Sequence, residues 1–167
     1  EHAAQLGIPI KDPNDILTLD VTVDGADEID PAKNMIKGGG GALFREKMLA
    51  QASREMIVIV DETKQVDRLG VHSLPIEMLP FAYPTIIKRV QEQGYDGHLR
   101  LKGDRLPFVT DNGNYIFDIS NKGPILNPKE EQERLKRITG VLETGLFFDI
   151  AKRVVIGYHD GLVKIRT

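Results

Sequence analysis

The chain has 167 residues, 41% of them hydrophobic and 28% charged, which is enough to bury a core in one domain or two small ones. Its net charge of -3, from 22 basic and 25 acidic residues with the basic ones dispersed, gives no electrostatic footprint for nucleic acid. The absence of cysteine excludes disulfides and thiolate metal sites and favours a cytoplasmic home, while His2, His72, His98 and His159 lack metal-ligand spacing and runs such as Met56 to Val60 are too short to span a bilayer.

In chain order, His2 to Gly7 reads as the tail of a helix and Ile8 to Ile10 as a short strand. From Ile16 to Val23, Leu17, Leu19, Val21 and Val23 alternate with Thr18, Asp20 and Thr22, the period of a strand. Asp24 then sits at that strand's carboxyl end, followed by Gly25, Ala26 and Asp27. In open α/β sheets ligands bind beyond the carboxyl ends of the strands, so Asp24 and Asp27 are placed to share one. Turn and capping roles for Asp-Gly and for Asp-Glu-Ile-Asp-Pro explain the same residues structurally.

Next comes Lys37-Gly38-Gly39-Gly40-Gly41, directly ahead of good helix formers from Ala42 to Ala50. Glycines let backbone N–H groups approach an anion closely at a helix amino terminus. The run lacks the Gly-Lys-Ser/Thr of a Walker loop, and Leu43 stands where a dinucleotide fingerprint needs its last glycine, so nucleotide readings lose ground. A flexible linker is the bland alternative, set against the abrupt helix start. On the helix, Lys47, Gln51 and Arg54 form a polar stripe, and Ala42, Met48, Leu49 and Ala52 an apolar one expected to face the sheet. At about 100° per residue Glu46 lies on the flank of that apolar arc. Desolvation there would raise its carboxyl pKa toward the range useful to a general base, whereas an ordinary surface glutamate would pair with a nearby cation. Arg45 falls on the apolar side without an evident role.

Glu55 to Asp61 reads as a buried strand whose end places Asp61 and Lys64 toward the same crevice, although a solvated loop lysine explains Lys64 as well. Beyond Gly70 the pattern changes. Leu74 to Leu79 reads as a strand, Tyr83 to Gln93 as an amphipathic helix, Leu99 to Lys102 and Tyr115 to Ser120 as strands flanking Pro107 to Thr110 with a turn at Asp111 to Asn114, Pro128 to Ile138 as a helix, and Val141 to Phe147 as a strand. This approximates a ferredoxin-like β-α-β-β-α-β module. Pairs Glu130 with Arg134 and Glu133 with Arg137 suit a solvated helix face. Arg153 to Tyr158 and Leu162 to Ile165 form a closing hairpin that rejoins the first sheet. The expected fold class is therefore α/β: a Rossmann-like open-sheet domain from residues 1–71 and 147–167, with an inserted ferredoxin-like α+β domain at 72–146.

Four motifs in order, Asp-Gly-Ala-Asp-Glu-Ile from Asp24, Lys-Gly-Gly-Gly from Lys37, Arg-Glu-Lys from Arg45 and Asp-x-x-Lys-Gln-Val-Asp from Asp61, resemble ribose-5-phosphate isomerase, type A. The resemblance runs from about Ile8 to the end of the chain. It implies interconversion of ribose 5-phosphate and ribulose 5-phosphate in the pentose phosphate pathway, with no cofactor and no metal. Glu46 would be the proton-transfer base. The sugar phosphate would be bound by Asp24, Gly25, Ala26, Asp27, Lys37, Gly38, Gly39 and Gly40, with a further contact from Lys64. Aldose-ketose isomerisation moves a proton from carbon 2 to carbon 1 through an enediolate. Lys37 and the glycine N–H groups would meet the developing negative charge. Asp24 or Asp27 would supply the second acid-base group, with Asp24 favoured. The resemblance further implies a homodimer or homotetramer joined through the smaller domain, acting on a small-molecule substrate with no nucleic-acid or membrane partner. It also implies a strand and a Thr-Gly-Ser-Thr-type phosphate loop ahead of Asp24, which these residues do not contain, so the chain reads as starting partway through its first domain with an unpaired sheet edge.

Two other classes compete. One is a different sugar-phosphate or acyl-transfer enzyme on a related scaffold, such as an amino-sugar-phosphate deaminase or a CoA transferase. The deaminase would need an active-site histidine, and no histidine neighbours Asp24, Lys37 or Glu46 in sequence. The other is a non-catalytic small-molecule-sensing module built on the ferredoxin-like half.

Overall fold

Runs of β-branched residues bounded by polar turns sort into separate sheets because partners, not period alone, decide which strand joins which. The computed structural model describes residues 2–103 and 105–167; residue 1, included in the expected first domain, lies outside the described residues. Its elements are α1 (His2–Gln5), β1 (Leu19–Asp24), β2 (Glu28–Ile29), β3 (Met35–Ile36), α2 (Leu43–Ala52), β4 (Ser53–Asp61), β5 (Leu74–Met78) and α3 (Tyr83–Glu92). They continue as β6 (Gly97–Leu99), β7 (Leu101–Lys102), β8 (Leu106–Pro107), β9 (Tyr115–Ile119), α4 (Pro128–Lys136), β10 (Val141–Thr144), β11 (Leu146–Phe147), β12 (Ala151–Gly157) and β13 (Val163–Arg166). Among the described residues no helix is long and apolar enough to cross a membrane.

The first sheet has the order β1-β4-β12-β13, parallel except for β13, which closes a hairpin with β12. Met56, Val58 and Val60 of β4 and Val154 and Ile156 of β12 point to one face and are buried with Ile29, Met35, Ala50 of α2 and Phe147. On the other face Val21, Val23, Ile59, Val163 and Ile165 are exposed. The strand expected over Ile16 to Val23 therefore starts at Leu19, and it is Thr22 that turns inward, its hydroxyl 2.5 Å from Ser53 Oγ at the end of α2. Which side of an alternating strand is covered depends on the layer above it, and α2 lies over the Thr22 side. Ile8 to Ile10 form no strand; Ile8 and Ile10 are exposed, and no ladder partner lies beside them among the described residues.

The second sheet, β10-β5-β9-β6, is antiparallel throughout. Ile86 and Val90 of α3 and Leu135 of α4 pack with Leu74, Ile76, Met78, Phe117 and Ile119. On α4, Glu133 meets Arg137 at 3.9 Å, but Arg134 pairs with Glu131 at 3.6 Å rather than with Glu130.

A third sheet, β11-β3-β2, was not expected. The Asp-Glu-Ile-Asp segment, which reads as turn and cap, contains β2, where Glu28 is wholly buried and accepts hydrogen bonds from the Gly70 and His72 N–H groups. Two strands also break. The run expected over Leu99 to Lys102 divides at Arg100, with β6 pairing β9 and β7 pairing β8. The run over Val141 to Phe147 divides at Gly145, sending β10 to β5 and β11 to β3. Gly145 lies so close to the Lys37 carbonyl that a Cβ would stand 2.3 Å from it, so only glycine passes.

Phe147 connects this framework to what lies above it. It is wholly buried, with the Lys47 ammonium 4.7 Å and the Lys37 ammonium 5.7 Å from its ring centre. Phe147→Ala is expected to lower stability by about 3–5 kcal/mol, read from the urea unfolding midpoint at unchanged slope.

Candidate active site

β1 delivers Asp24 at its carboxyl end, and the next residue, Gly25, donates its N–H back to Asp24 Oδ1 at 2.8 Å. Lys37 follows β3 and is anchored through its N–H to the Gly145 carbonyl at 2.9 Å. Its side chain is only 4% exposed. An ammonium in that position needs compensation, since burial of an unpaired charge is strongly unfavourable. Lys37 Nζ lies 3.0 Å from Asp24 Oδ2 and 3.3 Å from Glu46 Oε2, and donates to the Gly25 carbonyl.

The glycines after Lys37 form a tight turn in which the Gly41 N–H reaches the Gly38 carbonyl at 3.0 Å. Gly41 has φ +86°, and a Cβ there would stand 2.5 Å from the Phe108 ring, so both conformation and space demand glycine. The Gly39 N–H donates to Asp27 Oδ2 at 2.8 Å. The turn leads straight into α2, where Ala42 at the N-cap supplies no side-chain cap and Glu46 lies in the first turn. Uncapped N–H groups and the positive end of the helix thus face the same region as the glycine turn.

Glu46 flanks the buried stripe Leu43, Lys47 and Ala50 of α2. Burial pushes its carboxyl above the ordinary glutamate value; the Lys37 ammonium opposes this, and the Asp24 carboxylate adds to it. Its Oε2 is buried and meets the Lys37 ammonium at 3.3 Å.

The helix is rotated from the expected orientation. Lys47 points inward, while Met48 and Leu49 are exposed. The reason is a half-buried anion: Lys47 Nζ lies 2.8 Å from Glu143 Oε1 and donates to the Thr144 carbonyl at 2.7 Å. Arg45, which had no role in sequence, donates to Asn112 Oδ1 at 2.8 Å and the Asp111 carbonyl at 2.6 Å, tying α2 to the turn before β9.

Segments Asp24 to Asp27 and Lys37 to Gly40, with Glu46, line one cavity of about 220 Å³. Sequence reasoning places all nine of these residues in one site, and the fold brings them together. Lys64 stands beside that cavity, lining an adjoining space of about 210 Å³ with Asp27, Gly39 and Arg100. It also lines a wider depression of about 620 Å³ that reaches Gly25 and Ala26. The 220 Å³ space is smaller than the roughly 300–1,000 Å³ typical of drug-sized ligands, which suits a compact polar metabolite better than a dinucleotide. Arg100, which holds the glycine turn through two carbonyls, went unnoticed in sequence. No local signal marks it, because its partners are distant along the chain.

A desolvated carboxylate facing a buried ammonium across a small polar cavity can remove a proton beside an oxygen whose growing charge is stabilised. Its place at the carboxyl ends of parallel strands is where open α/β enzymes bind their ligands. Residues 1–161 match the family model for ribose 5-phosphate isomerase A (phosphoriboisomerase A). A ribose-5-phosphate isomerase A from Protochlamydia amoebophila is 56% identical over 98% of this chain and 71% of its own length. The ribose 5-phosphate isomerase of Plasmodium falciparum superimposes with a TM-score of 0.93 at 38% identity, covering 99% of this chain and 73% of its own. A D-ribose-5-phosphate isomerase solved with phospho-erythronic acid gives 0.90 at 40% identity, covering 98% and 72%. The chain belongs to the ribose 5-phosphate isomerase A family.

The charges around Glu46 make its titration testable without reference to turnover. Carbon-detected NMR should place the Glu46 carboxyl above the ordinary glutamate value. Lys37→Met removes the charge that favours its ionised form and should move it higher still, whereas Asp24→Asn removes a like charge and should move it lower.

Proposed function

We propose that Glu46 is the base with which this enzyme interconverts ribose 5-phosphate and ribulose 5-phosphate. One observation carries the assignment: Glu46 Oε2 is buried in the site cavity with the Lys37 ammonium 3.3 Å from it. In the open-chain aldose, Glu46 takes the proton from carbon 2, and the electron pair of that bond forms the enediolate. Lys37 and the N–H groups of the glycine turn stabilise the oxygen that gains charge; one such donor is worth roughly 3 kcal/mol. Protonated Glu46 then returns the proton to carbon 1, giving the ketose with the base restored.

Ring opening and the transfer of a proton between the two oxygens need a second acid-base group. The paired aspartates supply it: Asp24, whose Oδ2 rests against Lys37, or Asp27, which spends Oδ2 on Gly39 and keeps Oδ1 without a hydrogen bond among the described residues. Lys64, beside Asp27, contributes a positive charge toward the sugar phosphate. No cofactor or metal enters this scheme.

We read the first sheet as a Rossmann-like domain of residues 1–71 and 147–167, a division supported by its parallel β1-β4-β12 core. The strand order β10-β5-β9-β6 supports a ferredoxin-like insertion at 72–146. We keep a homodimer or homotetramer joined through that half as the expected assembly, to be read from the mass of the enzyme in solution. On this reading the enzyme works in the pentose phosphate pathway, and we take its compartment to be the cytoplasm.

Glu46→Gln keeps the shape of the side chain and removes its basicity. It is expected to lower kcat for ribose 5-phosphate by at least about 1,000-fold while leaving substrate binding within a few-fold. Because the proton held on the Glu46 carboxyl exchanges with solvent in competition with its return, isomerisation in deuterated water should show deuterium entering carbon 1 with the wild-type enzyme only. Wild-type turnover by the variant would remove Glu46 from the mechanism.

A further inference from the structure

The glycine turn is held by Arg100, which reaches it through two backbone carbonyls and lines the space beside Asp27 and Lys64. Arg100 stands at the break between β6 and β7, and its guanidinium is 18% exposed. Nε and Nη2 make a two-pronged pairing with Asp118 of β9, at 2.8 Å to Oδ2 and 2.6 Å to Oδ1. Nη1 donates to the Gly38 carbonyl at 2.8 Å and to the Gly39 carbonyl at 3.0 Å. Phe108 lies against the same group, its ring centre 5.8 Å from Arg100 Cζ, and also bounds the space at Gly41.

We propose that Arg100, locked by Asp118, is a positioning residue that sets the two peptide planes of the glycine turn and through them the donors and the carboxylate that face the substrate. The planarity of the trans peptide carries the argument, because the C=O and N–H of one unit point in opposite directions. With the Gly38 carbonyl drawn to Arg100, the Gly39 N–H is turned to the opposite side, where it meets Asp27 Oδ2 at 2.8 Å. With the Gly39 carbonyl drawn to the same nitrogen, the Gly40 N–H is turned away from Arg100. Gly40 lines the site cavity, and its N–H has no hydrogen-bond partner among the described residues. Glycine has the widest choice of backbone conformations, so a run of four would otherwise sample many orientations. A planar fork that reaches a carboxylate on one edge and two carbonyls on another is a task for arginine; the point charge of lysine cannot span it. The second sheet thereby holds the substrate loop of the first.

This inference rests on the isomerase reading for its kinetic consequence but not for its structural one, so two readouts are needed. In the purified enzyme, Arg100→Lys keeps the charge and loses the fork; Arg100→Ala leaves room for an added guanidinium ion. Both are expected to reduce kcat for ribose 5-phosphate by about 100-fold with KM changed much less, since the misplaced donors matter most where charge develops. Millimolar guanidinium should recover part of the loss in Arg100→Ala and none in Arg100→Lys. Independently of turnover, amide hydrogen exchange at Gly39 should accelerate at least tenfold in both variants, because its bond to Asp27 is no longer enforced. Unchanged Gly39 exchange overturns the proposal whether or not the wild-type enzyme isomerises ribose 5-phosphate. So does a kcat loss that follows the thermal midpoint alone and is fully restored in Arg100→Lys. Failure of the isomerase reading shows separately, as a wild-type enzyme without turnover whose Gly39 amide still responds to Arg100.

Discussion

Burying the Lys37 ammonium is the constraint around which the site is arranged. A charge removed from water costs several kcal/mol unless opposite charge and hydrogen-bond acceptors surround it. Three elements meet that demand: β1 through Asp24, the following turn through the Gly25 carbonyl, and α2 through Glu46. The two carboxylates are held near one another only because the ammonium lies between them. The balance also tunes the glutamate, since burial and Asp24 push its carboxyl up while Lys37 restrains the rise. Compensating a buried cation and preparing a base are here one arrangement.

The same demand, met a second time, explains the orientation of α2. Lys47 enters the interior beneath the helix and finds Glu143, whose carboxyl burial alone would push up but which Lys47, the Thr144 N–H and Lys136 together hold below the usual range. Phe147 offers its ring to both Lys37 and Lys47, so one aromatic side chain supports the lysine of the site and the lysine that seats the helix. A helical wheel assigns Lys47 to solvent, because hydropathy cannot register a carboxylate waiting at the far end of the chain. With Lys47 inside, Met48 and Leu49 are turned outward.

Legibility in the sequence followed the range of the interactions involved. Elements set by local pattern and turn chemistry lie close to where the residues place them: α3 between Pro84 and Gly94, and the β12-β13 hairpin around Asp160-Gly161. The segments at Asp24 and Lys37 could be read because glycine runs and strand-end carboxylates are local statements about backbone and charge. What could not be read depends on partners remote in the chain. Nothing near Ile8 to Ile10 tells that no strand pairs with it, nothing in Asp-Glu-Ile-Asp announces a buried Glu28 that caps the Gly70 and His72 amides, and Arg100 gains its meaning only beside Asp118 and Gly38. The outward face of Val21 and Val23 belongs to the same class, since alternation marks two sides without saying which is covered.

The switch of sheets at Gly145 bears on the order in which the molecule can come together. The carbonyl of Gly145 receives the Lys37 amide, and the next two residues form the strand that completes the sheet beside Met35 and Ile36. The lysine of the site is therefore fastened by backbone that lies far along the chain from it, beyond the whole second sheet. Contacts of such long sequence separation form slowly, because the intervening loop must close first. Until the second sheet has formed and handed its last strand across, Lys37 lacks its anchor and the carboxylates gathered around it have no common partner. Partly folded chains should thus hold no assembled site, because the lysine and its carboxylates share no common frame until that contact closes.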